Sequence, residues 1–165
     1  MRHHAIDSIV KPQHLRGLIY VVDAANISPG SAGLREAAEY LHDILLLLQK
    51  RAATAKTSRE IPVLIAANKM DLITALPTSL VRTTLEQEIT NIRASRAKGL
   101  LDSGIAMTDM GAGDEKDWLG EGGEGKFEFT QMEEVNVSVT VAGGNVASSG
   151  DTDVRKWWDW IGSNL

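Results

Sequence analysis

The chain has 165 residues, 43% of them hydrophobic, a formal net charge of −5 and no cysteine. That length supports one hydrophobic core and a single domain. Disulfides and thiolate metal sites are excluded, and the mild acidity argues against a general nucleic-acid or anionic-lipid surface. No apolar run approaches the ~20 residues of a membrane span.

Taken in order, the elements alternate. Ala5, Ile6, Ile9 and Val10 fall on one side of a short helix expected over His3 to Val10 and ended by Pro12. Leu18 to Val22 is a continuous apolar run of strand length, closed by Asp23. Leu34, Ala37, Ala38, Leu41, Leu45 and Leu48 recur at helical spacing and define a long helix packed on a sheet. Arg51 to Glu60 is a polar connection, and Val63 to Ala67 is a second strand. Thr78, after Pro77, reads as the N-cap of a helix whose buried stripe is Val81, Leu85, Ile89 and Ile92.

Between Lys98 and Glu134 the periodicity stops. From Asp109 to Glu134 there are nine acidic residues against two basic, with six glycines between Gly111 and Gly125. Such a stretch buries too little surface to order itself, so 98–134 is expected to be a disordered surface insertion. Its function is either docking of a basic partner or plain solvation. Phe127 and Phe129 pin its far end to the domain. Val135 to Val141 alternates as a third strand with one wetter face. Thr152 or Asp151 caps a last helix, whose inner face is Val154, Trp158, Ile161 and Leu165, flanked by Trp157. The order β-α-β-α-β-α predicts a parallel sheet with helices on both sides.

The chemistry concentrates in Asn68-Lys69-Met70-Asp71, which follows directly on the second strand. Guanine presents two donors on one edge, N1–H and the exocyclic amino group. A carboxylate at Asp71 accepts both in one charge-assisted pair. Adenine would leave those oxygens unpaired, at a cost of roughly 1–3 kcal/mol or more. Asn68 ties the loop to neighbouring backbone, and Lys69 lays its aliphatic stem over the purine with its head in water. A loop at the carboxyl end of a parallel strand is where open α/β sheets bind ligands.

Leu15 to Ala25, Val63 to Leu72 and Lys126-Phe-Glu-Phe-Thr-Gln131 together resemble the beta subunit of the signal recognition particle receptor. The layout, a long insertion followed by a phenylalanine pair and the last strand, is similar too. The resemblance implies an α/β fold: the C-terminal half of a P-loop small GTPase, with three parallel strands, flanking helices and a long acidic Gly-rich insertion, as one partial GTPase domain over 1–165. It further implies a GTP-binding subunit at the endoplasmic reticulum membrane. That subunit holds the receptor alpha subunit in its GTP form, so that ribosomes carrying nascent secretory chains are captured at the translocon. Asn68, Lys69 and Asp71 match the family's guanine-specificity loop. Ala142 matches the residue of the second base loop whose N–H meets guanine O6. Val141 and Gly143 depart from the usual S-A-K, removing the hydroxyl that braces Asp71 and the lysine that covers the base. Asp23 matches the family's V-V-D and reads as a structural cap.

The sequence contains no G-x-x-x-x-G-K-[ST], and the D-x-x-G that senses the γ-phosphate is missing ahead of the first strand. With these absent, nothing cradles the β-phosphate, the Mg²⁺ site is missing, and the chain is expected to start just past the phosphate machinery. GTP should then bind weakly to this chain alone and not be hydrolysed, so its standing as an enzyme is open. His3 and His4 are adjacent and lack a carboxylate partner at metal spacing. The strand Leu18–Val22 should present an unpaired edge with apolar faces on both sides. The alternatives are a pseudo-GTPase interaction scaffold and a fragment of an ADP-ribosylation-factor-like or vesicle-coat GTPase.

Overall fold

The computed structural model describes residues 15–54, 60–102, 125–146 and 152–164. Their elements are β1 (Leu18–Asp23), α1 (Ala32–Thr54), β2 (Ile61–Asn68), α2 (Thr78–Asp102), a 3₁₀ helix (Phe129–Val135), β3 (Val137–Gly143) and α3 (Arg155–Asn164). The strands form one sheet in the order β1-β2-β3, both pairings parallel. This is the α/β architecture that the alternating elements predict.

Each strand's sequence follows from its position. β2 lies in the centre with both faces covered, and Ile61 to Ala67 are all buried, which explains its unbroken apolar run. Pro62 is tolerated there for a geometric reason. The Ile61 N–H points toward β3, donating to the Asn136 carbonyl at 2.8 Å, so the Pro62 nitrogen faces the β1 side. Pairing with β1 begins one residue later, at Leu18–Val63, so no ladder bond is lost. β1 has a single neighbour strand among the described residues. Its Tyr20 and Val22 are buried, while Ile19 and Val21 on the opposite face are 45% and 58% exposed.

One face of the sheet carries the core. Leu34, Ala38, Leu41, Leu45 and Leu48 of α1 and Val81, Leu85, Ile89 and Ile92 of α2 are buried with Val63, Ile65, Ala67 and Val137 of the strands. The Tyr20 hydroxyl donates to the Ala37 carbonyl at 2.8 Å, tying β1 to α1. Asp43 of α1 and Arg96 of α2 pair at 3.0 Å across the top of the two helices.

The phenylalanine pair docks on α2. Phe127 and Phe129 are fully buried and meet edge-to-face, with ring centroids 5.6 Å apart. Their backbone N–H groups donate to Thr90 Oγ1 at 3.0 Å and to Glu86 Oε1 at 2.9 Å. The same Glu86 oxygen accepts from Arg82 Nε at 3.1 Å. Arg82 and Arg93 lie over the Phe129 and Phe127 rings, at 5.8 and 5.9 Å to the centroids. Arg93 is only 7% exposed, and its three guanidinium nitrogens have no hydrogen-bond partner among the described residues. Burial holds its pKa below the ordinary arginine value, and the aromatic face is the compensation left to the charge.

Several boundaries and one helix face differ from the expectation, beginning with α1, which runs on to Thr54 into the expected polar connection. The disordered stretch expected over 98–134 is ordered at both ends, because α2 runs on to Asp102 and Gly125 onward is packed by the phenylalanine pair. A 3₁₀ helix intervenes before β3, started by a capping box between Glu128 and Gln131 and ended by Asn136 at φ 55°. It takes Val135 out of the strand, which starts at Val137. Pro77, not Thr78, occupies the cap of α2, its carbonyl accepting from the Val81 N–H at 2.9 Å. In α3 the inward side is Trp157, Trp160 and Ile161, all half-buried, whereas Trp158 is 65% exposed. With Val154 half-buried as well, the spacing 154, 157, 160, 161 is a helical stripe equal in quality to the expected one, and contact with the sheet selects it. The expected helix over His3 to Val10, residues 103–124, Asp151 and Leu165 lie outside the described residues.

Candidate guanine-binding site

Because the strands are parallel, their carboxyl ends share one edge of the sheet. Asp23 stands opposite Asn68, and Ala66 and Ala67 stand opposite Ala142 and Gly143. The Asn68–Asp71 loop therefore leaves the sheet between the ends of β1 and β3, next to Ala142.

Backbone and side-chain bonds knit the three strand ends together. The Ala24 N–H donates to the Asn68 carbonyl at 3.0 Å, and the Gly144 N–H to the Ala67 carbonyl at 2.9 Å. The Met70 N–H donates to the Gly144 carbonyl at 3.2 Å. Asn68 does what its amide suggests, with Oδ1 accepting from the Val146 N–H at 3.0 Å. Two turns, Leu72 N–H to Lys69 carbonyl and Ala75 N–H to Leu72 carbonyl, then carry the chain toward α2.

Lys69 has φ 65°, the left-handed region, a conformation that costs a non-glycine residue on the order of 1 kcal/mol. This directs its side chain back across the strand ends, where Nζ meets Asp23 Oδ2 at 2.6 Å. The ammonium is thus not simply in water, as the loop sequence suggests, but paired. Asp23 caps its own turn, Oδ1 accepting from the Ala25 N–H at 3.0 Å, and with its other oxygen orients Lys69. The pair is half exposed and adds less than about 1 kcal/mol of stability, so its value is orientation. Asp71 is exposed, and its carboxylate makes no hydrogen bond among the described residues. A carboxylate in that state is available to a ligand.

The departures at 141 and 143 have structural reasons. Val141 packs against the core, in line with the alternation of β3. A side chain at Gly143 would begin 2.8 Å from Thr78 Cγ2 and 3.1 Å from Met70 Cγ, so those two residues occupy the space a lysine stem would need. Asp23 as orienter, Thr78 as a filler beside Met70, and Trp157, whose indole N–H donates to the Ala142 carbonyl at 3.0 Å, adjoin the loop without appearing in its sequence motif. Only register reveals them, since Asp23 and Lys69 are 46 positions apart.

This fold, with an N-K-x-D loop at the carboxyl end of a parallel strand and a second loop beside it, is that of part of a small-GTPase-type domain. The model of the signal recognition particle receptor beta subunit family matches residues 1–137. The chain belongs to that family. It is 27% identical over 155 residues to the signal recognition particle receptor subunit beta of Saccharomyces cerevisiae, covering 94% of this chain and 57% of the yeast protein. It therefore spans little more than half of that relative's length. Among solved structures it is similar to the signal recognition particle receptor SRb-GDP-Mg from Chaetomium thermophilum, with a TM-score of 0.81, 36% identity and coverage of 100% of this chain and 76% of that one. It is also similar to the SRb-GTP/SRX complex from the same organism, with a TM-score of 0.80, 35% identity and coverage of 99% of this chain and 63% of that one.

Proposed function

We propose that this chain supplies guanine recognition to a GTP-binding receptor subunit whose nucleotide state gates assembly with the receptor alpha subunit. The setting is co-translational protein targeting at the endoplasmic reticulum membrane, where that assembly captures ribosomes at the translocon. No described helix is long and apolar enough to cross a membrane. Support for the nucleotide comes from relatives described as GDP-, Mg- and GTP-bound, and support for the partner from the relative described in complex with SRX.

The observation that carries the reading is the position of Asp71. It follows a parallel strand, on a loop whose backbone is fixed to both neighbouring strand ends, and its carboxylate has no hydrogen-bond partner among the described residues. The roles follow from chemistry. Asp71 accepts from N1–H and the exocyclic amino group of guanine, whereas Ala142 cannot serve O6 as the resemblance implies, because the alternation that gives the Gly144 N–H to the Ala67 carbonyl turns the Ala142 N–H into the same ladder with β2. Lys69, tethered by Asp23, offers its stem to the ring face, and Asn68 keeps the two loops in register. The sequence has no P-loop motif, so phosphate and Mg²⁺ contacts are not expected from these residues, and GTP binds this chain alone only weakly.

The test is Asp71→Asn, with millimolar nucleotide titrated and the amides of Gly144 and Val146 followed by NMR. The wild-type chain should respond to GTP and not to ATP. The variant should lose about tenfold or more in GTP affinity, since a hydrogen-bonded charge is removed, and gain for xanthosine triphosphate, whose extra carbonyl accepts from the new amide. An unchanged ratio of GTP to xanthosine triphosphate affinity shows that Asp71 does not read the base.

A further inference from the structure

Residues 126–135 lie on the domain as a single layer. Phe127, Phe129, Met132 and Val135 are buried, while Lys126, Glu128, Thr130, Glu133 and Glu134 between them are exposed. Part of the layer's polar bonding is internal. Gln131 Oε1 accepts from the Glu128 N–H at 3.2 Å, and Gln131 Nε2 donates to the Lys126 carbonyl at 3.3 Å. The Phe127 and Phe129 N–H groups tie it to Thr90 and Glu86 of α2. Gly125 at φ 83° and Asn136 at φ 55° bracket it, both left-handed. Positions at element ends that absorb a change of φ and ψ are where hinges sit. Beyond the second bracket the chain is fixed again, the Asn136 carbonyl accepting from the Ile61 N–H at 2.8 Å.

One group works against the closed arrangement. Arg93 stands beside Phe127, more than nine-tenths buried, with no acceptor for its three guanidinium nitrogens among the described residues. Burying a charge without hydrogen bonds is unfavourable, and a ring centroid 5.9 Å away offsets only part of that. Lifting the layer off α2 returns the charge to water at the expense of the two rings' apolar contacts.

We propose that residues 126–135 are a strap that opens as a unit about Gly125 and Asn136, with the buried Arg93 charge favouring release. Opening uncovers Phe127, Phe129 and Met132 together with the Arg82, Glu86, Thr90 and Arg93 side of α2, while the sheet stays folded. The proposal is independent of the guanine reading. The alternative is that this segment is ordinary core, freed only when the whole domain unfolds, with Arg93 anchoring it through the ring contact.

Amide hydrogen exchange, followed by NMR at several low urea concentrations, separates the two. In the wild-type chain the Phe127 and Phe129 amides should exchange about tenfold or more faster than that of Ile65 in β2, with little dependence on urea, as local opening requires. Exchange at the Ile65 rate with the same urea dependence overturns the proposal without any variant. Arg93→Met removes the charge and keeps a flexible apolar chain in its place. It should slow the Phe127 and Phe129 amides about tenfold or more. Arg93→Lys keeps a buried charge and should slow neither. Unchanged or quicker exchange in Arg93→Met, loss of its fold, or equal slowing in both variants overturns the role given to Arg93 and the proposal with it.

Discussion

The two faces of the sheet are built to different standards. On one face α1, α2 and the 3₁₀ helix seal a core in which Leu41, Leu45, Leu85, Ile89, Phe127 and Phe129 are all but inaccessible. On the other only α3 is present among the described elements, and it has no fully buried residue. It touches β2 and β3, and Ile19 and Val21 of β1 stay open beside it. The thick face holds the strands in place. The thin face carries Trp157, whose indole N–H meets the Ala142 carbonyl at the end of β3. Folding free energy is therefore drawn mainly from one side of the sheet, and each side can be perturbed by itself.

The comparison breaks most easily at the phenylalanine pair. Phe129→Ala should cost about 3–5 kcal/mol in urea unfolding, because a fully enclosed ring leaves a cavity under α2. Trp158→Ala on the thin face should cost within about 0.5 kcal/mol. Comparable losses from the two would show that α3 carries as much of the stability as the core does. A smaller effect sharpens the same contrast. Glu86→Ala leaves the buried Phe129 N–H without its acceptor and should cost about 1–3 kcal/mol, whereas Glu86→Gln keeps an oxygen there and should cost less. If both variants lose the same amount, the charge pairing with Arg82, and not the cap on Phe129, is what matters. The smallest effect belongs to β1. Ile19→Thr and Val21→Thr should each change stability by within about 0.5 kcal/mol while lowering self-association in light scattering, since they remove exposed apolar surface and no core contact. A cost well above that would mean this face is covered.

Much of the architecture was legible because its periodicities are strong. The stripes Leu34 to Leu48 and Val81 to Ile92 lie buried as their spacing requires, and the unbroken run of β2 marks a strand covered on both sides. Asn68 was legible too, since an amide in a tight loop beside strand ends has backbone to bind, and Val146 supplies it. The face of α3 was not. Trp157, Trp158 and Trp160 give two helical stripes of equal apolar content, and only contact with Ala142 and Gly144 selects between them. The pinning of the segment after Gly125 by Phe127 and Phe129 was legible, but its anchors were not, because Glu86 and Thr90 read as ordinary polar positions of a distant helix.

The sequence by itself determined the class of the fold and picked out the N-K-x-D tetrapeptide, since both are written in short-range patterns: apolar runs at strand and helix periods, and consecutive residues whose donors and acceptors would match one edge of guanine. Tertiary structure alone decided how that tetrapeptide is held. Parallel pairing brings Asp23 to Lys69, Gly143 under Met70, and Trp157 onto Ala142, across 46 positions in the first case. Hydrogen bonds and close packing depend on distance in space, and a linear pattern does not encode which residues of different strands will share an edge.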